Sequence, residues 1–321
     1  MDISIVIPLL NEAESLSELH DWIENVMTEY HFSYEIIFID DGSKDCSWEI
    51  IRGLQEKNTA VKGIKFQRNF GKSQALNAAF KVTQGDVIIT MDADLQDNPE
   101  EIPALYFIIK NENYDVVSGW KQKRYDHKLT KNLPSKLFNW AACKTSGIQL
   151  HDFNCGLKAF NANVVKSIDV YGEMHRYIPV LAKNAGFENI TEKIVQHQAR
   201  KHGKSKFGTE RFINGFLDLI SLWFITRFGR RPMYLFGALG TLMFIFGFLS
   251  SLFIGISKLY KMNMGFEYNL VTDNPWFYIA LTVMILGTQL FLAGFLGEII
   301  IQQNRKNQDF YQIEEKLNLH S

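Results

Sequence analysis

Two apolar runs close to the C-terminus, Met233–Ser257 and Trp276–Ile301, constrain the architecture of this chain more than any other feature. At ~1.5 Å rise per residue each exceeds ~35 Å as a helix, enough to cross a ~30 Å hydrocarbon core with some tilt. Neither fits easily as a core helix of a soluble protein. Glu298 is the one ionisable residue inside either run, near the end of the second, where a carboxylate reaches headgroup depth rather than the costly midplane. Arg227, Arg230 and Arg231 precede the first run, and Arg305 and Lys306 follow the second. The positive-inside rule then puts both termini in the cytoplasm, with Lys258 to Pro275 as a short outer loop. No secretory signal precedes Met1 to Ile7, which reads directly as a strand.

The roughly 230 residues ahead of this hairpin suffice for one large α/β domain. Apolar bursts at Ile3–Ile7, Glu35–Ile39, Val61–Phe66 and Val87–Met91 alternate with helical-length segments, among them Leu16, Leu19, Ile23 and Val26 at helical spacing, Trp48–Leu54 and Ser73–Val82. That is βαβα patterning and predicts a parallel sheet covered on both faces. Ligands of such sheets bind beyond the carboxyl ends of the strands. The conspicuous polar residues fall there: Asn11 and Glu12, Asp40 and Asp41, Arg68 and Asn69, Asp92 and Asp94. Beyond Val117 the pattern loosens, with a helix expected at Leu133–Cys143, a strand or loop around Asp152–Phe160 and a helix around Tyr177–Ala185. Phe207–Phe228 reads as an amphipathic helix lying on the bilayer. The expected organisation is an α/β domain over 1–206, a juxtamembrane helix over 207–230, two spans within 231–302 and a cytoplasmic tail over 303–321.

The net charge of -1 conceals segregation. Ser118–Lys144 carries seven Lys/Arg against one acid, and Arg200–Arg231 carries eight against two. Beside a membrane, two such stretches point to anionic lipid or phosphate partners. Cys46, Cys143 and Cys155 are odd in number and lack metal-type spacing, which fits a reduced cytoplasmic compartment and assigns them no role. His151, His175, His197 and His202 likewise show no metal spacing.

Asp92-Ala93-Asp94 ends the strand that starts near Gly85, so an extended backbone would turn both carboxylates to one side and Ala93 to the other. Two hard oxygens with open positions suit Mg²⁺ or Mn²⁺, with Gln96 as a third oxygen. Asn98 and Pro99 read as the N-cap and first position of a helical turn, and Pro103 as the start of the longer helix. Asp40-Asp41-Gly42-Ser43 serves either a ribose and base or an Asp-Gly turn that caps the next helix. No G-x-G-x-x-G or P-loop pattern follows the first strand, which argues against NAD and against a P-loop nucleotidase. Asp152 is either the carboxylate beside the reacting groups, as a base or as an orienter of hydroxyls, or a loop residue that caps a turn. Glu173, Arg176 and Pro179 either shape an acceptor pocket or pair at a helix end.

The ordered motifs Val6-Ile7-Pro8-Leu9-Leu10-Asn11-Glu12, Asp40-Asp41-Gly42-Ser43, Arg68-Asn69-Phe70-Gly71-Lys72 and Met91-Asp92-Ala93-Asp94-Leu95-Gln96-Asp97 resemble glycosyltransferase family 2. Asp152-Phe153-Asn154-Cys155-Gly156, the basic segment Arg200–Gly208 and the two spans are similar to its polyprenyl-phosphate branch. The resemblance implies a GT-A fold, Rossmann-like with a mostly parallel sheet, plus a C-terminal transmembrane hairpin. It implies an inverting, metal-dependent enzyme that moves one sugar from a UDP- or GDP-linked donor to a polyprenyl phosphate at the inner membrane. Pro8, Leu10, Glu12, Asp41 and Lys72 would then hold the donor, and Asp92, Asp94 and Gln96 the Mg²⁺ or Mn²⁺. Arg200 and Lys206 would clamp phosphates, while Lys131, Ser135 and Arg124 would meet the lipid phosphate. Lys131 supplies charge there but no bidentate fork. The partners implied are a nucleotide sugar, a polyprenyl phosphate, the bilayer and further copies of the chain, tetramers included, but no nucleic acid. Two rivals are a processive polysaccharide synthase, whose Gln-x-x-Arg-Trp motif is missing here, and a non-catalytic membrane partner.

Overall fold

The computed structural model describes residues 1–122, 143, 146–172, 174–198, 224, 228, 231–267 and 269–305. It falls into two compact units that divide between residues 223 and 224. In the first, the expected alternation is present: β1 (Ile3–Leu9), α1 (Ala13–Glu29), β2 (Tyr34–Asp40), α2 (Ser47–Lys57), β3 (Val61–Lys65), α3 (Lys72–Phe80) and β4 (Val87–Thr90). Then come a 3₁₀ turn (Pro99–Glu101), α4 (Ile102–Asn111), β5 (Val116–Trp120), β6 (Lys158–Asn161), α5 (Ala162–Ser167), α6 (Ile178–Asn184) and β7 (Ile190–Ile194). Asn98 caps the turn as the sequence predicts, its side-chain oxygen accepting the Glu100 N–H at 2.9 Å. The expected helices at 133–143 and 207–228 and the tail after 305 lie almost wholly outside the described residues.

The strands form one seven-stranded sheet in the order β3-β2-β1-β4-β6-β5-β7. β1 is buried on both faces, as a central parallel strand must be: Ile3, Ser4, Ile5, Val6 and Ile7 are all at 0% exposure. Burying side chains of this size contributes roughly 2 kcal/mol each. The sheet is mostly parallel, as expected: β1 pairs parallel with β2 and β4, β2 with β3 and β5 with β7, while β6 runs antiparallel to both β4 and β5. The cause is connectivity. β5 ends at the same edge as β4, and the chain re-enters the sheet at that edge, so β6 starts there, with Lys158 opposite Thr90 and Ser118, and runs back. Register also sets Leu9 opposite Asp40 and Val6 opposite Thr90, so the polar residues that follow β1, β2 and β4 emerge along one edge.

At the opposite edge, Glu35 is buried with its carboxylate between the Ser4 hydroxyl, the Gln84 N–H at 2.7 Å and Lys62 at 2.6 Å. Burial pulls its pKa up, but these three partners outweigh burial and hold it below the ordinary glutamate value. Its stabilisation is therefore fully present above the ordinary glutamate range and is lost as pH falls through the lowered folded-state value. Glu35→Gln is expected to cost about 2 kcal/mol near neutrality and to flatten the acid limb of a stability profile followed by circular dichroism. An unchanged acid limb would remove Glu35 from the account.

The second unit contains α7 (Met233–Asn263) and α8 (Pro275–Arg305), both long and apolar enough to span a bilayer. α7 continues through Lys258 and Lys261, so the connection begins at Met264 rather than at Lys258 as expected. The two helices meet backbone to backbone. A Cβ on Gly240 would lie 2.6 Å from the Gly287 carbonyl oxygen, and one on Gly287 would lie 2.7 Å from that of Gly240. Small residues at such crossings let dispersion hold helices together where lipid removes the hydrophobic drive.

Candidate functional site

Four loops build the edge where the strands end. Asn11, in the left-handed region at φ 51, donates its N–H to Ser43 Oγ at 2.8 Å and accepts the Lys44 N–H at 2.7 Å. Asp40 accepts the Ser43 N–H at 2.7 Å, and Asp45 accepts from Ser47 and from the Ala13 N–H. The Asp-Gly loop is thus sewn to the loop after β1. Asp41, expected on a ribose or base, is 5% exposed and accepts the Phe70 N–H at 2.7 Å and the Gly71 N–H at 2.9 Å. Burial raises its pKa despite those two amides. The role the geometry gives it is to clip the loop after β3, and through that loop to orient Phe70 and Lys72.

Beyond β4 the backbone turns at once. The extended Asp92-Ala93-Asp94 of the sequence expectation is a turn instead, because β4 ends at Thr90 and Leu95 adopts φ 59. Ala93 is 3% exposed, whereas Asp92 and Asp94 are half-buried. Asp94 accepts the Gln96 N–H at 3.2 Å, and Asp97 accepts the Asp92 N–H at 3.2 Å. The other Asp97 oxygen pairs with Lys121 at 2.7 Å. Lys72 places its ammonium on Asp92 Oδ1. Burial by itself would raise the pKa of Asp92, but Lys72, followed by Lys121 and Lys158, holds it down to about 2.

The opposite wall comes from the segment before β6. Thr90 Oγ1 donates to the Gly156 carbonyl at 2.8 Å, and Lys158, 3% exposed, donates to the carbonyls of Phe153 and Cys155. Gly156 leaves room there, since a Cβ would fall 2.5–2.9 Å from the Asp92 carboxylate atoms and displace that side chain. Asp152, 2% exposed, caps this wall by accepting the Asn154 N–H at 3.0 Å. Burial pushes the Cys155 thiol up to about 12, so it serves as a small apolar surface. From the far side, the His175 N–H donates to Ser73 Oγ at 3.0 Å and the ring Nδ1 lies 3.1 Å from the same oxygen. Burial, with Lys72 and Arg176 nearby, holds this imidazole well below its usual pKa and therefore neutral.

These parts enclose a cleft with about 330 Å³ of empty space, counted to where it opens into solvent. Of the residues expected at the site, Pro8, Lys72 and Asp92 line it, joined by Asn154, Gly156, Lys158 and Arg176. Leu10, Glu12, Asp41, Asp94, Gln96 and Asp152 belong to the surrounding loops rather than to its walls. Arg124, Lys131, Ser135, Glu173, Arg200 and Lys206 lie outside the described residues. Sequence reasoning gave no role to Asp97, Lys121 or Lys158. The one signal for Lys158 was a lysine set among Leu157, Ala159 and Phe160. Two carboxylates and a carboxamide on one turn, with Asp92 kept ionised and already drawing a cation, fit a hard divalent ion such as Mg²⁺ or Mn²⁺.

Comparison with known proteins agrees with this geometry. The sequence profile of glycosyl transferase family 2 matches residues 4–168. Dodecaprenyl-phosphate galacturonate synthase of Rhizobium johnstonii is 32% identical over 302 residues, which cover 94% of this chain and 88% of that protein. Undecaprenyl-phosphate 4-deoxy-4-formamido-L-arabinose transferase of Pseudomonas aeruginosa is 35% identical over 300 residues, covering 93% and 84%. Glucosyl-3-phosphoglycerate synthase of Mycobacterium tuberculosis, solved with Mn²⁺ and UDP-glucose, superposes with a TM-score of 0.53 at 17% identity over 70% of this chain and 78% of that one, a likeness of fold. From the mostly parallel sheet, the polar strand tips and these relatives together, the chain belongs to glycosyl transferase family 2, in its polyprenyl-phosphate branch.

Proposed function

We propose that this protein transfers one sugar, with inversion, from a UDP- or GDP-linked donor to an undecaprenyl-type polyprenyl phosphate at the cytoplasmic face of the inner membrane. The observation that carries this reading is the Asp92 carboxylate at the tip of β4, ionised among Lys72, Lys121 and Lys158 in a cleft that Arg176 also lines. Such a pocket suits a metal-bound diphosphate. The names of the Rhizobium and Pseudomonas relatives, which specify dodecaprenyl and undecaprenyl phosphates, support the acceptor class. Mn²⁺ and UDP-glucose in the mycobacterial structure support the donor class.

In one displacement, an oxygen of the lipid phosphate bonds to the anomeric carbon as the bond from that carbon to the nucleoside diphosphate breaks, so configuration inverts. The acceptor needs positioning more than deprotonation, since a phosphate monoester has its second pKa at ~6. Asp92, Asp94 and Gln96 would hold the Mg²⁺ or Mn²⁺, which supplies charge neutralisation at the leaving diphosphate. Lys72 and Arg176 add fixed positive charge along the same cleft. Pro8, Leu10 and Glu12 hold the base and ribose, with Asp41 acting through the loop it clips. Asp152 serves as an orienter rather than a base, because it is buried and holds the turn that presents Asn154. Arg200 and Lys206 clamp phosphates, and Lys131, Ser135 and Arg124 meet the lipid phosphate. Residues 207–230 would serve as an amphipathic juxtamembrane segment ahead of the first span, and the chain works as a homo-oligomer.

Purified full-length protein, given undecaprenyl phosphate, Mg²⁺ or Mn²⁺ and labelled nucleotide sugars, is expected to form a chloroform-soluble product whose mass names the sugar. The panel should span UDP-glucose, UDP-GlcNAc, GDP-mannose, UDP-galacturonate and UDP-4-deoxy-4-formamido-L-arabinose. No lipid-linked product from any donor would overturn the reading.

A further inference from the structure

The cleft around Asp92 is lined by Lys72, Arg176 and Lys158, the last with its pKa lowered by burial, against one carboxylate. A bare divalent cation approaching it meets an Asp92 carboxylate whose charge is already balanced by the Lys72 ammonium on Oδ1. A diphosphate reverses that balance, since it brings several negative charges that both the metal and the lysine can share. Lys72 is the first residue of α3 and 34% exposed, at the end of a four-carbon stem, so it can leave Asp92 without disturbing the core. Lys158 cannot make the same move, because it is buried and bound to the carbonyls of Phe153 and Cys155.

We propose that Lys72 and the divalent cation are alternative partners of Asp92: the cation enters only together with the donor diphosphate, which draws the ammonium off the carboxylate and onto a phosphate oxygen. This rests on the reading of the site as one for a metal-bound nucleotide sugar. Lys72 is then a guard against metal binding alone as well as a ligand of the donor. It imposes an order on assembly, because Lys72 balances Asp92 in the empty site and the diphosphate supplies the charge that lets the cation take its place.

The test measures Mn²⁺ binding by full-length detergent-solubilised protein from the electron paramagnetic resonance of free Mn²⁺, first without nucleotide and then with UDP or GDP. Wild type is expected to bind Mn²⁺ weakly alone and far more tightly with nucleotide. Lys72→Met is expected to bind Mn²⁺ alone about ten-fold tighter, and the enhancement by nucleotide is expected to shrink, as reciprocal coupling requires. Lys72→Arg, which keeps the charge, is expected to stay as weak as wild type without nucleotide. Lys72→Met with wild-type near-ultraviolet circular dichroism and unchanged or weaker Mn²⁺ affinity overturns the exchange, as does tight Mn²⁺ binding by wild type alone. Failure of wild type and Lys72→Met alike to bind Mn²⁺ even with UDP and GDP overturns the metal site itself, and the exchange with it.

Discussion

Asp92→Ala is expected to lower formation of lipid-linked sugar by about three orders of magnitude while leaving the folded protein intact, the scale at which loss of a single fixed electrostatic group acts on a charged transition state. The separation of activity from stability follows from the surroundings. The Asp92 side chain is 35% exposed and its partner Lys72 is 34% exposed, so the ammonium left behind can take up water. An ion pair this open contributes only about 0–1 kcal/mol to folding. The Asp92 N–H, held by Asp97, is unaffected by removal of the side chain. Product assays paired with thermal unfolding should therefore show lost turnover at an unchanged midpoint. A variant that keeps more than about a tenth of wild-type turnover would remove Asp92 from the chemistry.

Lys121→Met should behave in the opposite way, with stability falling first. Asp97 is 0% exposed at its side chain and Lys121 is 11% exposed, so removing the lysine leaves a carboxylate in a dry site without its counter-charge. Burial alone would push the pKa of Lys121 down; Asp97, with Asp92 beside it, holds it well above the ordinary lysine value. Breaking a buried pair from one side costs about 3–5 kcal/mol, which lowers the unfolding midpoint of a domain this size by roughly 10 °C. Lys121→Met combined with Asp97→Asn should recover more than half of that loss, since the amide carries no charge yet still accepts the Asp92 N–H. A single variant that melts within about 2 °C of wild type would mean that the pair contributes little.

How much of this was legible beforehand depends on the range of the interaction. The strands Ile3–Leu9, Tyr34–Asp40 and Val61–Lys65 lie where the apolar bursts put them, and the cap at Asn98 lies where its dipeptide with Pro99 put it. Each is governed by neighbours a few residues away. The reversal of β6 was not legible, because strand direction depends on which edge a connecting segment reaches, and no local pattern encodes that. Asp41 shows the same limit. Its type and position suited a ribose, but no local pattern showed that the amides of Phe70 and Gly71, 29 and 30 residues away, donate to its two oxygens.

By itself the sequence determined the α/β alternation, the polar strand tips, the Asp92–Asp94 pair and two helices of spanning length, all of which follow from periodicity, run length and residue type. Only the tertiary structure decided that Lys72 closes on Asp92, that Lys121 is buried against Asp97 and that Gly156 makes room for a carboxylate. Those contacts join loops that meet solely because the sheet order and register bring them to one edge, and the energy of a charge there depends on the neighbours and on the water that this packing excludes.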